Sequence, residues 1–144
     1  MTFLTPLASR LWLWGPVGVQ MAVIFAASSV PDLGALPGGA PDWFGHGVGY
    51  AILGGLLLRA LSGGRRAGVT AAVALAAVAC SALYGVSDEW HQSFVPGRSP
   101  ALGDVVADVA GAALAVVLGW AWARLAASLS VRPEKAGSQP KGLP

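Results

Sequence analysis

Four long apolar stretches alternate with short polar ones along this chain, at residues 11–30, 43–61, 67–86 and 101–125. Each is close to the roughly 20 residues that an α-helix needs to cross a hydrocarbon core. The first stretch ends at "SSVPDLGALPGGAPD", where Pro, Gly and Asp interrupt a helix. The second ends at the basic turn "SGGRRAG", and the third runs into "DEWHQSFVPGRSP". The fourth gives way to a tail containing "RPEKAGSQPKGLP". The pattern predicts an all-α fold: a polytopic membrane protein with four transmembrane helices in one bundle over residues 1–125. Residues 126–144 are expected to form a polar cytoplasmic tail with too few apolar groups to order itself.

Composition points the same way. Of the 144 residues, 55% are hydrophobic and 11% charged, with a mean hydropathy of +0.63. Soluble domains carry about 25% charged residues, so the expected solvent is a bilayer. The single cysteine, Cys80, excludes an intrachain disulfide and a CxxC-type metal site, and its apolar setting predicts a packing role. Residues 11–30 are longer than the roughly 7–15-residue core of a signal peptide. "AASSV" offers small residues that would suit cleavage, and a first membrane span accounts for the same run.

Orientation follows from lysine and arginine in short loops. Arg10, Arg59, Arg65, Arg66, Arg124, Arg132, Lys135 and Lys141 fall on one side and Arg98 alone on the other. The rule places both termini in the cytoplasm. Asp32, Asp42, Asp88, Glu89, Asp104 and Asp108 then lie on or near the outer half. Trp12, Trp14, Trp120 and Trp122 fall near the inner ends of spans, and Trp43 and Trp90 near the outer ends, as in an interfacial aromatic belt.

Helical spacing sorts the outer polar residues into faces. His46 and Tyr50 share one face of the second span. Gly45 and Gly49, beside them, have the G-x-x-x-G spacing that permits close helix contact. Ser81, Tyr84, Asp88 and His91 form one stripe of the third span if its helix continues that far. Glu89 points about 100° away from Asp88, and Gln92 can bond Asp88 at i+4. In the fourth span Asp104, Asp108, Gly111, Ala115 and Gly119 form a stripe whose small residues predict an inward face. An ionisable group inside a membrane segment costs about 2.5–3.5 kcal/mol on insertion scales, so pairing or function must retain it. Arg98 follows the turn Pro96-Gly97, where its fork could clamp Asp88, Glu89, Asp104 or a lipid phosphate. Ser99 and Pro100 have the residue types that cap and open the fourth helix.

The strings "PDWFGHGVGYAILGGLL", "YGVSDEWHQSFVPGRSP" and "DVVADVAGAALAVVLG" resemble the VanZ-like family of small bacterial integral membrane proteins. The family pattern falls here on His46, Tyr50, Asp88, Glu89, His91, Gln92, Pro96, Gly97, Arg98, Asp104, Asp108 and Gly111. Some relatives have Asn where this chain has Asp108. The resemblance implies a multi-pass protein of the bacterial cytoplasmic membrane. Through the family's name it also implies a link to low-level teicoplanin resistance and the cell envelope.

Three functions fit these residues. As an enzyme, the protein would use His46, Asp88, Glu89 and His91 as catalytic groups on an outer-leaflet lipid or precursor, with Arg98 binding developing anionic charge. A divalent metal held by histidines and carboxylates is a variant, and no other cofactor is expected. As a binding module, it would use Tyr50, Tyr84, Gln92, Arg98, Asp104 and Asp108 to hold a lipid-linked ligand or lipophilic antibiotic. As a structural or partner-binding protein, it would use the same cluster only to pack its helices. Membrane lipids are the expected partners. No basic groove or Walker or Rossmann string points to nucleic acid or nucleotide.

Overall fold

A computed structural model describes residues 6–31 and 41–130. Four long helices account for most of them: α1 (Pro6–Ser28), α2 (Asp42–Leu61), α3 (Ala71–Gln92) and α4 (Leu102–Ser130). The described residues contain no strand. α4 continues through residues 126–130, which the sequence pattern alone assigns to the tail, and Asp32 and the tail beyond residue 130 lie outside the described residues.

Helix boundaries have local causes. From Pro6, the first residue described, α1 is already helical ahead of the apolar run, and proline there is compatible with a first helical turn. The glycines of "SGGRRAG" turn the chain after α2: Gly63 and Gly64 take φ of 64° and 70°, which side-chain-bearing residues resist. A 3₁₀ turn at Arg66–Gly68 follows. α3 therefore starts at Ala71 rather than 67, where the Thr70 hydroxyl accepts the Val73 N–H at 3.2 Å. At its other end α3 runs on through Asp88 and His91 to Gln92, so those residues are helical. α4 begins at Leu102, two residues beyond the Ser99-Pro100 start expected from the sequence. The Glu89 carboxylate, from α3, accepts the Ala101 N–H at 2.9 Å at this helix start. α4 spans 29 residues, about 43 Å at 1.5 Å per residue, which is longer than a hydrocarbon core of about 30 Å.

The helices run up and down. Arg98, between α3 and α4, meets the end of α1 and the start of α2. At the opposite end, Arg59 donates to the Trp12 carbonyl at 3.0 Å and lies over its ring, and Arg66 lies over Trp122. One end is thus basic and tryptophan-rich, and the other gathers the acids.

α2 and α4 make the most extensive helix pair. A Cβ on Gly111 would collide with the Gly47 carbonyl oxygen, and one on Gly54 would lie 2.9 Å from Ala112 Cα. Close approach of α2 and α4 therefore depends on glycine at 54 and 111, where any side chain would meet the facing backbone. A Cβ on Gly49 would meet Ile24 of α1 at an ordinary 3.8 Å, and Gly45 and Gly49 both line a cavity.

Burial is inverted relative to a water-soluble protein. Leu75, Leu83 and Leu102 are 71%, 71% and 85% exposed, whereas Asp108 and Ser81 are 0% exposed. The apolar core, centred on Tyr50, Leu53, Ala77, Ala112 and Val116, is small. Cys80, expected to pack inside, is exposed on α3. Helices with apolar outer faces and acids within are stable where the surroundings are hydrocarbon.

Candidate functional site

All four helices bring polar side chains to the acidic end. His46 comes from the second turn of α2, where the imidazole is part-buried against α4. Its Nδ1 lies 3.1 Å from Asp108 Oδ1. An ionised carboxylate can only accept, so Nδ1–H donates to Asp108 and Nε2 is turned away from it. Asp108 is accommodated because α3 has Gly85 beside it. A Cβ there would lie 2.8 Å from Asp108 Oδ2.

Asp88 and Glu89 are adjacent in sequence but serve different neighbours. Asp88 turns toward α1: Ser28 donates to its Oδ2 at 2.8 Å, and Gln92 donates to the same atom at 3.4 Å. Glu89 turns toward α4 and accepts the Ala101 N–H through Oε2. One donor atom each from His46, Asp88 and Glu89 nevertheless lies within 4.8 Å of the others. Asp42, His46 and Asp104 form a second group on the same criterion, with Asp42 at its exposed edge.

His91 stays outside both groups. Its ring stacks on Phe25, with centroids 4.3 Å apart, and its Nε2 lies 3.0 Å from Ser29 Oγ. The Ser29 hydroxyl already donates to the Phe25 carbonyl at 2.7 Å. The imidazole therefore donates to Ser29, and His91 docks α3 against α1. Tyr84 does the same deeper in the bundle, donating to the Met21 carbonyl at 2.7 Å. The stripe read on α3 is thus the face that α1 covers.

Arg98 meets none of the acids considered for it from the sequence. Its Nη1 donates to Asp42 at 3.1 Å, its Nε to the Val30 carbonyl at 3.1 Å and its Nη2 to the Ala27 carbonyl at 3.4 Å. These carbonyls lie at and just beyond the C-terminal end of α1, the negative end of its dipole, where a guanidinium binds well. Sequence reasoning passed over Ser28 and Ser29, within "AASSV", and the Arg98–Asp42 pair. The one available signal was two hydroxyls at the polar end of an apolar span.

Between α1, α2 and α3 lies a cavity of about 200 Å³. Val23, Ile24, Ala27, Gly45 and Gly49 supply apolar wall, while Ser28, His46, Tyr50, Asp88 and Arg98 supply polar groups. Four buried polar atoms here and below find no partner among the described residues: Tyr50 Oη, Ser81 Oγ, Glu89 Oε1 and Asp108 Oδ2.

Fold and site together define a class: a polytopic membrane protein with four spans and ionisable side chains enclosed at one end of the bundle. The chain belongs to the VanZ/LLP1 family, whose model matches residues 25–124, from the last turn of α1 through most of α4. No curated protein and no solved structure gives a significant match.

Proposed function

We propose that the acidic end of the bundle is a binding site for an amphiphile of the outer leaflet, such as an envelope lipid, a lipid-linked precursor or a lipophilic antibiotic. In this reading both termini are cytoplasmic and the cavity opens on the extracytoplasmic side of a bacterial cytoplasmic membrane. The supporting observation is the cavity itself, apolar along α1 and α2 and polar where His46, Tyr50 and Asp88 meet. At about 200 Å³ it is smaller than the roughly 300–1,000 Å³ typical of sites that enclose a whole ligand. It suits a head group whose acyl or prenyl chain stays in the bilayer.

The buried atoms without partners among the described residues keep hydrogen-bonding capacity for an occupant, which favours a site over a purely structural cluster. Arg98 is already committed to Asp42 and two carbonyls, so the acids dominate the inner site. Among the described residues His46 is the basic side chain grouped with Asp88, Glu89, Asp104 and Asp108, so the occupied site takes up positive charge. The resemblance-based link to teicoplanin resistance belongs to this same reading, because a protein that captures envelope amphiphiles alters what reaches the cell wall.

Native mass spectrometry of the full chain released from nanodiscs tests the proposal. A retained amphiphile is expected in the wild type and should be lost in Gly49→Val, which fills the cavity from its wall. Equal retention in the variant, or no retained species in the folded wild type across bacterial lipid extracts, would refute it.

A further inference from the structure

We propose that His46, Asp88 and Glu89 hold a divalent first-row metal ion at the polar floor of the cavity. The ion is the positive charge that the amphiphile site requires, so this inference deepens that reading.

The donor set carries the argument. Donor atoms of the three residues lie within 4.8 Å of one another. Two donors on one ion at bonds of about 2.1 Å are at most about 4.2 Å apart, so small side-chain rotations close the site. Glu89 is 6% exposed and Asp88 3%. Buried carboxylates are retained when paired or when they coordinate a metal. Glu89 uses Oε2 for the Ala101 N–H, and its buried Oε1 has no partner among the described residues. That oxygen is a free donor on a side chain whose position is already set by the start of α4.

His46 supports the assignment independently. Asp108 holds Nδ1 at 3.1 Å, which orients the ring and leaves Nε2 to take the metal, whose binding displaces any proton there. Metal-binding histidines are almost always oriented by such an outer carboxylate. Nitrogen with two carboxylate oxygens suits Mn²⁺ or Zn²⁺ better than Mg²⁺ or Ca²⁺. The competing group, Asp42 with His46 and Asp104, is weaker because Asp42 is 54% exposed and already paired with Arg98. Three protein donors leave coordination positions open, as in metal sites that bind an exogenous ligand.

The test uses the full chain in detergent, stripped with chelator and titrated with Mn²⁺, Zn²⁺ or Co²⁺ alone. One equivalent should bind, and Co²⁺ should give visible absorption bands with a histidine nitrogen in its coordination sphere. Glu89→Gln preserves an acceptor for the Ala101 N–H and should abolish stoichiometric binding, as should His46→Gln. Asp108→Asn should weaken binding by about 10–100-fold. Circular dichroism establishes that each variant is folded. No stoichiometric metal in the folded wild type overturns the proposal, and so does undiminished binding in folded Glu89→Gln. Loss in Asp42→Asn with retention in Glu89→Gln also overturns it, by moving the site to the other group. Amphiphile capture that persists after chelation would overturn the ion as the charge the amphiphile needs, whereas metal binding without any amphiphile would leave the metal site standing and defeat the amphiphile reading.

Discussion

Truncating Asp108 tests whether the polar end is held by one coupled pair or by independent contacts. Asp108→Ala removes the 3.1 Å bond to His46 and leaves a gap beside Gly85 and Tyr50. Breaking a buried pair from one side costs about 3–5 kcal/mol in soluble proteins. Pairs inside membrane bundles couple by about 0.6 kcal/mol on average and about 1.7 at most, because the unfolded helices find other partners in the bilayer. The Asp108 side chain is fully enclosed and that of His46 is 10% exposed, so this pair belongs near the upper membrane value. We expect Asp108→Ala and His46→Ala each to cost about 2 kcal/mol, the double variant about 2.5, and the coupling to be about 1.5. Asp108→Asn keeps an oxygen for Nδ1–H and should retain most of the stability. Reversible unfolding in mixed detergent and dodecyl sulfate, followed by tryptophan fluorescence and circular dichroism, gives all four corners of the cycle. Additivity within about 0.3 kcal/mol would refute the pairing and the orientation of His46 that depends on it.

Two further outcomes follow from packing and charge. Gly111→Ala drives a methyl into the rigid Gly47 carbonyl and should cost about 2 kcal/mol net of the helix propensity gained. Gly55→Ala meets nothing within 4 Å and should be neutral or stabilising by up to about 1 kcal/mol, so equal unfolding free energies would refute the α2–α4 contact. With Cys80→Ser as background, a cysteine at Ser99 should react with an impermeant maleimide added outside intact cells. Labelling only after the membrane is opened would reverse the proposed orientation.

Particular residues show why some of the site was legible from sequence and some was not. His46 with Tyr50, and Asp104 with Asp108, could be placed on common faces because i,i+4 spacing is a local property of a helix. The inward turn of Asp108 was legible because Gly111, Ala115 and Gly119 continue its stripe. Arg98 was not legible in the same way. Its partners are carbonyls at the end of α1, almost 70 residues earlier, and backbone carbonyls leave no mark in a side-chain pattern. Gly49 shows a related limit: its spacing permits close contact, but how near another helix comes depends on helix rotation, and here a Cβ would meet Ile24 at an ordinary 3.8 Å.

The sequence by itself determined the four spans, the basic and acidic ends and the set of polar residues available at the acidic end. Hydropathy, loop charge and helical periodicity are local quantities that accumulate along the chain. Tertiary structure alone decided how that set divides. Glu89 and Asp88 point to different helices, yet each keeps a donor near His46. His91 is drawn off to α1, and Arg98 is spent on Asp42 and the α1 carbonyls. Those outcomes depend on the rotation and offset of one helix against the next. Backbone approach at Gly47, Gly54 and Gly111 sets that relation for α2 and α4, and residues far apart in sequence set it jointly.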